Sequence, residues 1–419
     1  MKKIVIIGAG PAGLMAGIAA AGTGADVTVL ERNPFAGKKL RITGKGRCNV
    51  TNNCTAAEVM EAIPHNAKFL YGALNRFAPA DTMAFFEAAG VPLKTERGRR
   101  VFPVSDRAAD IQAALVREAN QAGVKFRYGV HVTGLAEREG GGWTVKDAHG
   151  VTDADAVILA TGGYSYPTTG SDGDGHRMLA ARGVKITAIK PSLVPIETEE
   201  DFAPLSGLTL KNVRLTVYDG SKAVFTEQGE MLFTHFGVSG PLVLSASSNM
   251  QARPVTDYRM EINLKPALSA EELDRRLIAD FAKYSARDFI NSLGDLLPMK
   301  LIPVVAALSG IDPRKKTGEV TKEERGRLAA ALTEFPVTPK AFRPIDEAII
   351  TSGGVDVKEI NPTTMELKNH SGLYCAGELI DVDAYTGGYN LQLAFATGKV
   401  AGESAGNEGN AGNEGNAAF

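Results

Sequence analysis

Gly8, Gly10 and Gly13 stand in the spacing GxGxxG, directly after the apolar run Ile4-Val5-Ile6-Ile7 and before an alanine-rich stretch that reaches Gly22. Glu31 closes the next apolar run, Val27 to Leu30, 18 residues beyond Gly13. These residue types in this order suit a dinucleotide: the first glycine makes a tight turn, and the second lets a pyrophosphate approach backbone N–H groups. The third lets helix and strand pack closely, and the acid accepts hydrogen bonds from a ribose. A glycine-rich turn without ligand is the competing reading, and the strand-turn-helix context argues against it. Flavin and nicotinamide dinucleotides share this motif, so other segments must decide between them.

Three such segments exist. Ile158-Leu159-Ala160-Thr161-Gly162-Gly163 ends an apolar run in a turn of small residues, where backbone can again approach a cofactor. Gly372 to Glu378 runs from a strand pattern through Gly377 into an acid, and Thr386-Gly387-Gly388-Tyr389-Asn390-Leu391-Gln392 opens a helix. Five of the ten residues from Lys38 to Arg47 are basic, namely Lys38, Lys39, Arg41, Lys45 and Arg47, and none is acidic. Diphosphate and flavin contact with solvated charge is the first reading of that loop, and RNA contact the second. Arg97, Arg99 and Arg100 read as a solvated loop. Cys48 follows Arg47, and nearby cations lower a thiol pKa, which suits a proton donor or redox partner. A lone cysteine also packs as a small hydrophobe, so both readings stand. No Cys-x-x-Cys accompanies it, and His235, between apolar neighbours, reads as structural or catalytic alike. The six scattered histidines suggest no metal site.

These residues need elements to hold them. The first 31 residues read as a βαβ unit with buried parallel strands. Ser105 is the expected N-cap of a helix to about Ala122, followed by strands at Lys125–Tyr128, Trp143–Lys146 and Ala156–Leu159. From about Pro191 the texture becomes β-rich, with Leu210–Tyr218 and Arg259–Leu264 as strands and Asp219-Gly220 and Gln228-Gly229 as hairpin turns. Ser269-Ala270-Glu271-Glu272 and Thr321-Lys322-Glu323-Glu324 are capping boxes. The first opens a helix with Leu273, Leu277, Ile278 and Phe281 on one side, and the second precedes Leu328, Leu332 and Phe335. Ile349–Val357 and Gly372–Cys375 return to strands, and Gly387 to Gly402 is the last helix. Ala405 to Asn410 is repeated from Ala411 to Asn416, a Gly/Asn repeat that cannot bury a core.

Composition narrows the class. The 419 residues suffice for two to three domains. A net charge of −2 argues against nucleic-acid or membrane binding driven by overall charge, leaving local basic clusters open. Three cysteines make no disulfide framework and fit a reducing compartment. The 22 uncharged residues after Lys3 contain six glycines and Pro11, so Ile4 to Ile7 is a strand and no signal or span, and the expected location is cytoplasmic.

The chain resembles the BaiN/RdsA family of FAD-dependent oxidoreductases, which also includes aminoacetone-oxidase-like flavoproteins. The likeness rests on GAGPAG, on Lys39–Asn52, on Ala160–Gly175, on Gly229–Pro241 and on Ala376–Gly398. It implies an α/β fold: a Rossmann-like, glutathione-reductase-like FAD domain from residues 1–190 and 345–404. A β-barrel-like insert (191–267 and 337–344) and a helical insert (268–336) interrupt it, and a disordered tail (405–419) follows. It further implies that Glu31 holds the adenosine ribose, that Ala12, Arg32 and Val132 lie at the adenine half, and that Glu378 faces the ribityl chain. Lys39, Arg47, Cys48 and Asn49 belong to the loop passing the flavin ring. The N–H groups from Gly388 to Gln392 would face the N1/O2 edge of the flavin and stabilise the charge gained on reduction.

The activity expected first is reduction of a conjugated C=C bond in a small molecule such as a steroid enone. No second GxGxxG unit offers a separate nicotinamide domain, so NAD(P)H is expected to bind transiently over the flavin. A dihydrouridine synthase on ribosomal RNA, an amine oxidase for aminoacetone-like substrates, and a non-catalytic flavin-binding protein are the alternatives. The inserts are expected to shape the substrate cavity.

Overall fold

Unbroken apolar runs make the five-stranded parallel sheet around which the two ends of the chain assemble. In the computed structural model, which describes residues 1–407, the sheet order is Leu373–Cys375, Ala156–Leu159, Lys3–Ile7, Asp26–Glu31, Lys125–Tyr128. Every pairing is parallel. Ile4, Ile6, Val157 and Ile158 are at most 1% exposed, and each such side chain contributes roughly 1.5–3 kcal/mol by leaving water. The chain divides into two compact units, Met1–Ser192 with Ile345 onward, and Leu193–Pro344.

In the first unit, helices Pro11–Gly22 and Tyr389–Asn407 pack tightly together. Gly398, Gly402 and Gly406 form the contact stripe, where an added Cβ would overlap the Ala12 carbonyl, the Ala16 carbonyl and the Thr23 hydroxyl. This stripe carries the last helix beyond Gly402, to Asn407, and buries Ala405 completely. The first residues assigned to the tail, Ala405 to Asn407, are thus helical; the rest of that segment, 408–419, lies outside the described residues. The strands at Lys125–Tyr128 and Ala156–Leu159 have the expected bounds. The helix expected from Ser105 begins at Ala108. Asp106 takes a left-handed φ of 55° there, so Ser105 accepts a bond from Arg107 N in a turn instead of capping the helix. The strand expected at Ile349–Val357 shrinks to Ile350–Ser352, because Gly353 and Gly354 follow with φ of 86° and 146°.

The second unit carries a seven-stranded sheet in which Thr209–Asp219 and Lys222–Phe233 form a long hairpin across Gly220. Gln228-Gly229 is not a turn. Both residues pair with Arg214 and Val213 inside the strand. Both capping boxes form, at helices Ala270–Lys283 and Lys322–Thr333. Leu273, Leu277 and Phe281 are buried, whereas Ile278 is 46% exposed, one step off the buried stripe. Phe202, Phe233 and Phe335 stack edge and face in this core. Among the described residues no helix is long and apolar enough to cross a membrane.

Candidate functional site

The C-terminal ends of the first, second and third apolar strands bring the candidate residues to one edge of the sheet. Gly8 turns with a φ of 101°, and a Cβ there would lie 2.5 Å from the Ala160 oxygen; a Cβ on Gly13 would overlap the Gly8 carbonyl. These two glycines serve close packing. Gly10 differs, since a Cβ there meets nothing within 4 Å. It precedes helix Pro11–Gly22, in which Leu14 N is the first to bond back, to the Gly10 oxygen. The N–H groups of Ala12 and Gly13 have no intrahelical acceptor and, with the helix dipole, favour an anion in the open space by Gly10.

Glu31 is 7% exposed. Its Oε2 accepts from Ala9 N at 2.8 Å, and its Oε1 from Asn33 N at 2.8 Å and Asn33 Nδ2 at 2.7 Å. The carboxylate is thus fixed at the strand end with acceptor capacity left for a hydroxyl. Val130 N bonds the Glu31 oxygen and leads into Val132, which is buried. Arg32 is turned onto the loop at 170–174, donating to the Gly170 oxygen at 3.2 Å and to Asp172 at 2.6 Å. Asp174 and His131 complete that ionic cluster.

Ala160 N hydrogen-bonds the Ile7 oxygen, Thr161 Oγ1 is buried without a hydrogen-bond partner, and Gly162 takes a φ of 75°. Ala376 N bonds the Leu159 oxygen and brings Gly377 and Glu378 alongside, with Gly377 against the Ala12 methyl. Glu378 pairs with Lys39 at 2.7 Å. Gly388, with a φ of 96°, lies so close to Thr51 that a Cβ would be 2.5 Å from its carbonyl carbon. The side chains behind it are committed to the protein. Asn390 Oδ1 accepts from Ala384 N at 2.9 Å and Nδ2 donates to the Ala384 oxygen at 2.7 Å. Buried Gln392 accepts from Thr51 and Thr82 hydroxyls at 2.8 and 2.7 Å and donates to the Phe77 oxygen at 2.7 Å. Tyr389 and Leu391 pack against the core of this unit. What the helix start offers a ligand is backbone.

The loop from Lys38 to Asn49 divides by charge. Lys38 bonds Asn33 and the Thr168 oxygen, and Lys39 turns to Glu378 and Ser165. Arg41 and Lys45 are exposed. Arg47 is held by Asp106 at 2.5 Å and Glu96 at 2.5 Å, with its guanidinium 4.2 Å from the centre of the Phe102 ring. Its charge is therefore spent on carboxylates. The lowered thiol pKa expected of Cys48 is absent: the side chain is 0% exposed, and burial pushes the thiol up to about 12 against a hydrogen bond from Thr43. Asn49 Oδ1 and Asn52 Oδ1 are buried without partners.

The fit to FAD rests on these features: open space at Gly10, a buried carboxylate fixed at Glu31 with acceptor capacity left, and orphaned buried oxygens on Thr161 and Asn49. Arg97 and Arg99 are exposed, and Arg99 pairs with Glu58 at 2.7 Å. His235 is exposed, with its ring edge against Phe236 in the second unit. Sequence reasoning passed over Ser165 and Thr351, which hold Glu378, and the cluster His65, Asp381 and Asp383. His65 Nε2 lies 3.3 Å from Asp381 and 3.1 Å from Asp383, and Asp383 accepts from Ser192 Oγ at 2.5 Å. His65 also lines a hollow of about 430 Å³ with Asn66, Lys68 and Val357. Burial lowers the pKa of His65 but is outweighed by the Asp381 hydrogen bond and both aspartate charges, so it is raised; burial raises that of Asp383. The one legible signal was the run of acids Asp381 and Asp383 just before the last helix.

The family profile described as "HI0933-like protein Rossmann domain" matches residues 2–404. A 3-dehydro-bile acid delta(4,6)-reductase of Clostridium scindens is 32% identical over 410 residues, covering 97% of this chain and 99% of that protein. A ribosomal RNA dihydrouridine synthase of Escherichia coli is 31% identical over 398 residues, covering 94% and 95%. Among solved structures, 3-ketosteroid delta1-dehydrogenase from Sterolibacterium denitrificans shares the fold with a TM-score of 0.51, 13% identity, and coverage of 97% of this chain and 100% of that one. The chain belongs to the HI0933-like Rossmann family, the BaiN/RdsA group, and is an FAD-dependent oxidoreductase.

Proposed function

We propose that this protein reduces a C=C bond conjugated to a carbonyl in a small molecule, with NADH or NADPH as the donor. The observation that carries the reading is the likeness, over 97% of this chain, to a protein named as a 3-dehydro-bile acid delta(4,6)-reductase. Bound FAD supplies hydride transfer to one carbon of such a bond, and a proton must reach the other. The balance is one NAD(P)H, one proton and the olefin giving NAD(P)⁺ and the saturated product. Glu31 and the N–H groups beside Gly10 would bind the ribose and diphosphate, while Glu378 and the backbone from Gly388 onward would orient the ring end. Thr161 and Asn49 each carry a buried oxygen without a hydrogen-bond partner, which the cofactor would satisfy. Cys48 is too buried and too weak an acid to be assigned the proton.

Ribosomal RNA is the second reading, favoured by the 31% identity to the dihydrouridine synthase and by exposed Arg41, Lys45 and Arg97. The C5=C6 bond of uracil is likewise conjugated to a carbonyl. Anaerobic reduction by NADH or NADPH, followed by reoxidation with an enone, undermodified ribosomal RNA or oxygen, tests both. Fast reoxidation by the enone supports the first reading; reoxidation by RNA alone selects the second. Reoxidation by oxygen alone, with an aminoacetone-like amine as reductant, would replace both with an oxidase. No reduction by either nicotinamide refutes the donor assignment.

A further inference from the structure

Glu378 is where four distant pieces of the first unit are tied together. Its Oε2 accepts from Lys39 Nζ at 2.7 Å, and its Oε1 accepts from Ser165 Oγ at 2.9 Å and from Thr351 N at 3.0 Å. Lys39 Nζ also donates to Ser165 Oγ at 2.7 Å, so lysine, serine and carboxylate close a ring of hydrogen bonds. Thr351 Oγ1 in turn accepts from Tyr164 N at 2.7 Å and Ser165 N at 3.2 Å, which fixes the serine in place. The lysine and glutamate side chains are 21% and 17% exposed. At that depth each charge depends on the other, since removing one partner leaves a poorly solvated ion. The residues are 339 positions apart, so the pair links distant segments of the first unit and is not an i,i+4 pair within one helix.

We propose that Lys39 acts on the flavin through Glu378, as a positioning residue that neutralises and orients this carboxylate, and is not itself a ligand of the cofactor phosphates. Both of its hydrogen bonds point into the Glu378–Ser165 ring, and a bond to the diphosphate would require it to leave them. FAD brings two negative phosphates, and reduction adds further negative charge. An uncompensated Glu378 beside the cofactor therefore weakens binding and disfavours reduction. With Lys39 in place the pair is neutral, and the carboxylate serves as a directed acceptor without opposing the charge gained.

The inference rests on the flavin reading, and a double-mutant cycle on the full-length protein separates the two. FAD is stripped and titrated back by fluorescence into wild type, Lys39→Met, Glu378→Gln and the double variant, and the midpoint potential of each loaded protein is measured. Lys39→Met is expected to raise the dissociation constant on the order of 10- to 100-fold, the cost of an uncompensated carboxylate facing an anionic cofactor, and to move the potential negative. In the Glu378→Gln background the same substitution is expected to change affinity by less than about threefold. Lys39→Arg, which keeps the charge, should restore most of the binding. A loss of equal size in both backgrounds means that Lys39 touches the phosphates directly and overturns the inference, as does an unchanged dissociation constant in Lys39→Met. Should Lys39→Met not fold, Lys39→Gln carries the same comparison. Wild type that takes up no FAD would instead overturn the flavin reading.

Discussion

Replacing Gly10 with alanine separates a glycine kept for a ligand from glycines kept for the fold. Gly10 has φ −76° and ψ −177°, a conformation any residue adopts, and an added methyl meets nothing within 4 Å. Lower chain entropy in the unfolded state and the poorer N-cap quality of alanine oppose each other, so stripped Gly10→Ala should match wild-type stability within about 1 kcal/mol. The methyl nevertheless stands in the space through which a diphosphate reaches the N–H groups of Ala12 and Gly13. Losing one charged hydrogen bond costs about 1.5–3 kcal/mol, or about a 10- to 100-fold rise in the FAD dissociation constant. Gly13→Ala is the control, because its methyl overlaps the Gly8 carbonyl oxygen. Backbone must move there, and the stripped protein should lose on the order of 3 kcal/mol. Denaturant unfolding of stripped proteins and FAD titration of the same samples measure both quantities. Wild-type FAD affinity in Gly10→Ala would refute the placement of the diphosphate, and undiminished stability in Gly13→Ala would refute the packing argument.

Cys48→Ala should lower stability by about 1–2 kcal/mol through a lost buried sulfur, while the reoxidation rate by an olefinic acceptor at saturating FAD stays within about threefold in stopped flow. A fall of 10²-fold or more, the scale for a missing general acid, would return Cys48 to the reaction. His65→Gln should destabilise the protein most below about pH 6.5. The folded-state pKa of His65 is raised by its aspartates, so its contribution is complete below the unfolded value and is lost as pH rises through the folded one. A stability difference between wild type and variant that stays constant from pH 5 to 9 would refute this account.

The parts of the site made of backbone were legible, because glycine spacing leaves few alternatives. Gly8, Gly13 and Gly388 each occupy a position where a Cβ meets backbone atoms. Leu373–Cys375 and Ala156–Leu159, from opposite ends of the chain, pair as parallel strands; the short apolar runs are legible as buried strands, but only the family resemblance implied that the two ends share a domain. Local conflicts hid the rest. Ser105 carries the right side chain for a cap but is followed by Asp106, drawn away by Arg47 and Lys94. Gly229 looks like a turn residue, yet it lies inside strand Lys222–Phe233, paired with Val213.

Charge was the least legible layer, and Cys48 shows why. A thiol that follows two cations, Lys45 and Arg47, in sequence reads as activated, but a side chain's electrostatic environment is set by what faces it. Arg47 turns outward to Glu96 and Asp106, 49 and 59 positions away, while the thiol turns into the core and is fully buried. The basic loop misled in the same way. Of its five cations, Arg47 and Lys39 are each neutralised by acids from distant segments, and only Arg41 and Lys45 face solvent. A cluster that suggested five free positive charges therefore has two of them compensated by carboxylates and three, on Lys38, Arg41 and Lys45, without an acid partner among the described residues. Helix termini and peptide N–H groups, by contrast, carry partial charges that are fixed by the fold and need no counter-ion, so their pull on an anionic dinucleotide is readable from the glycine-marked helix starts alone.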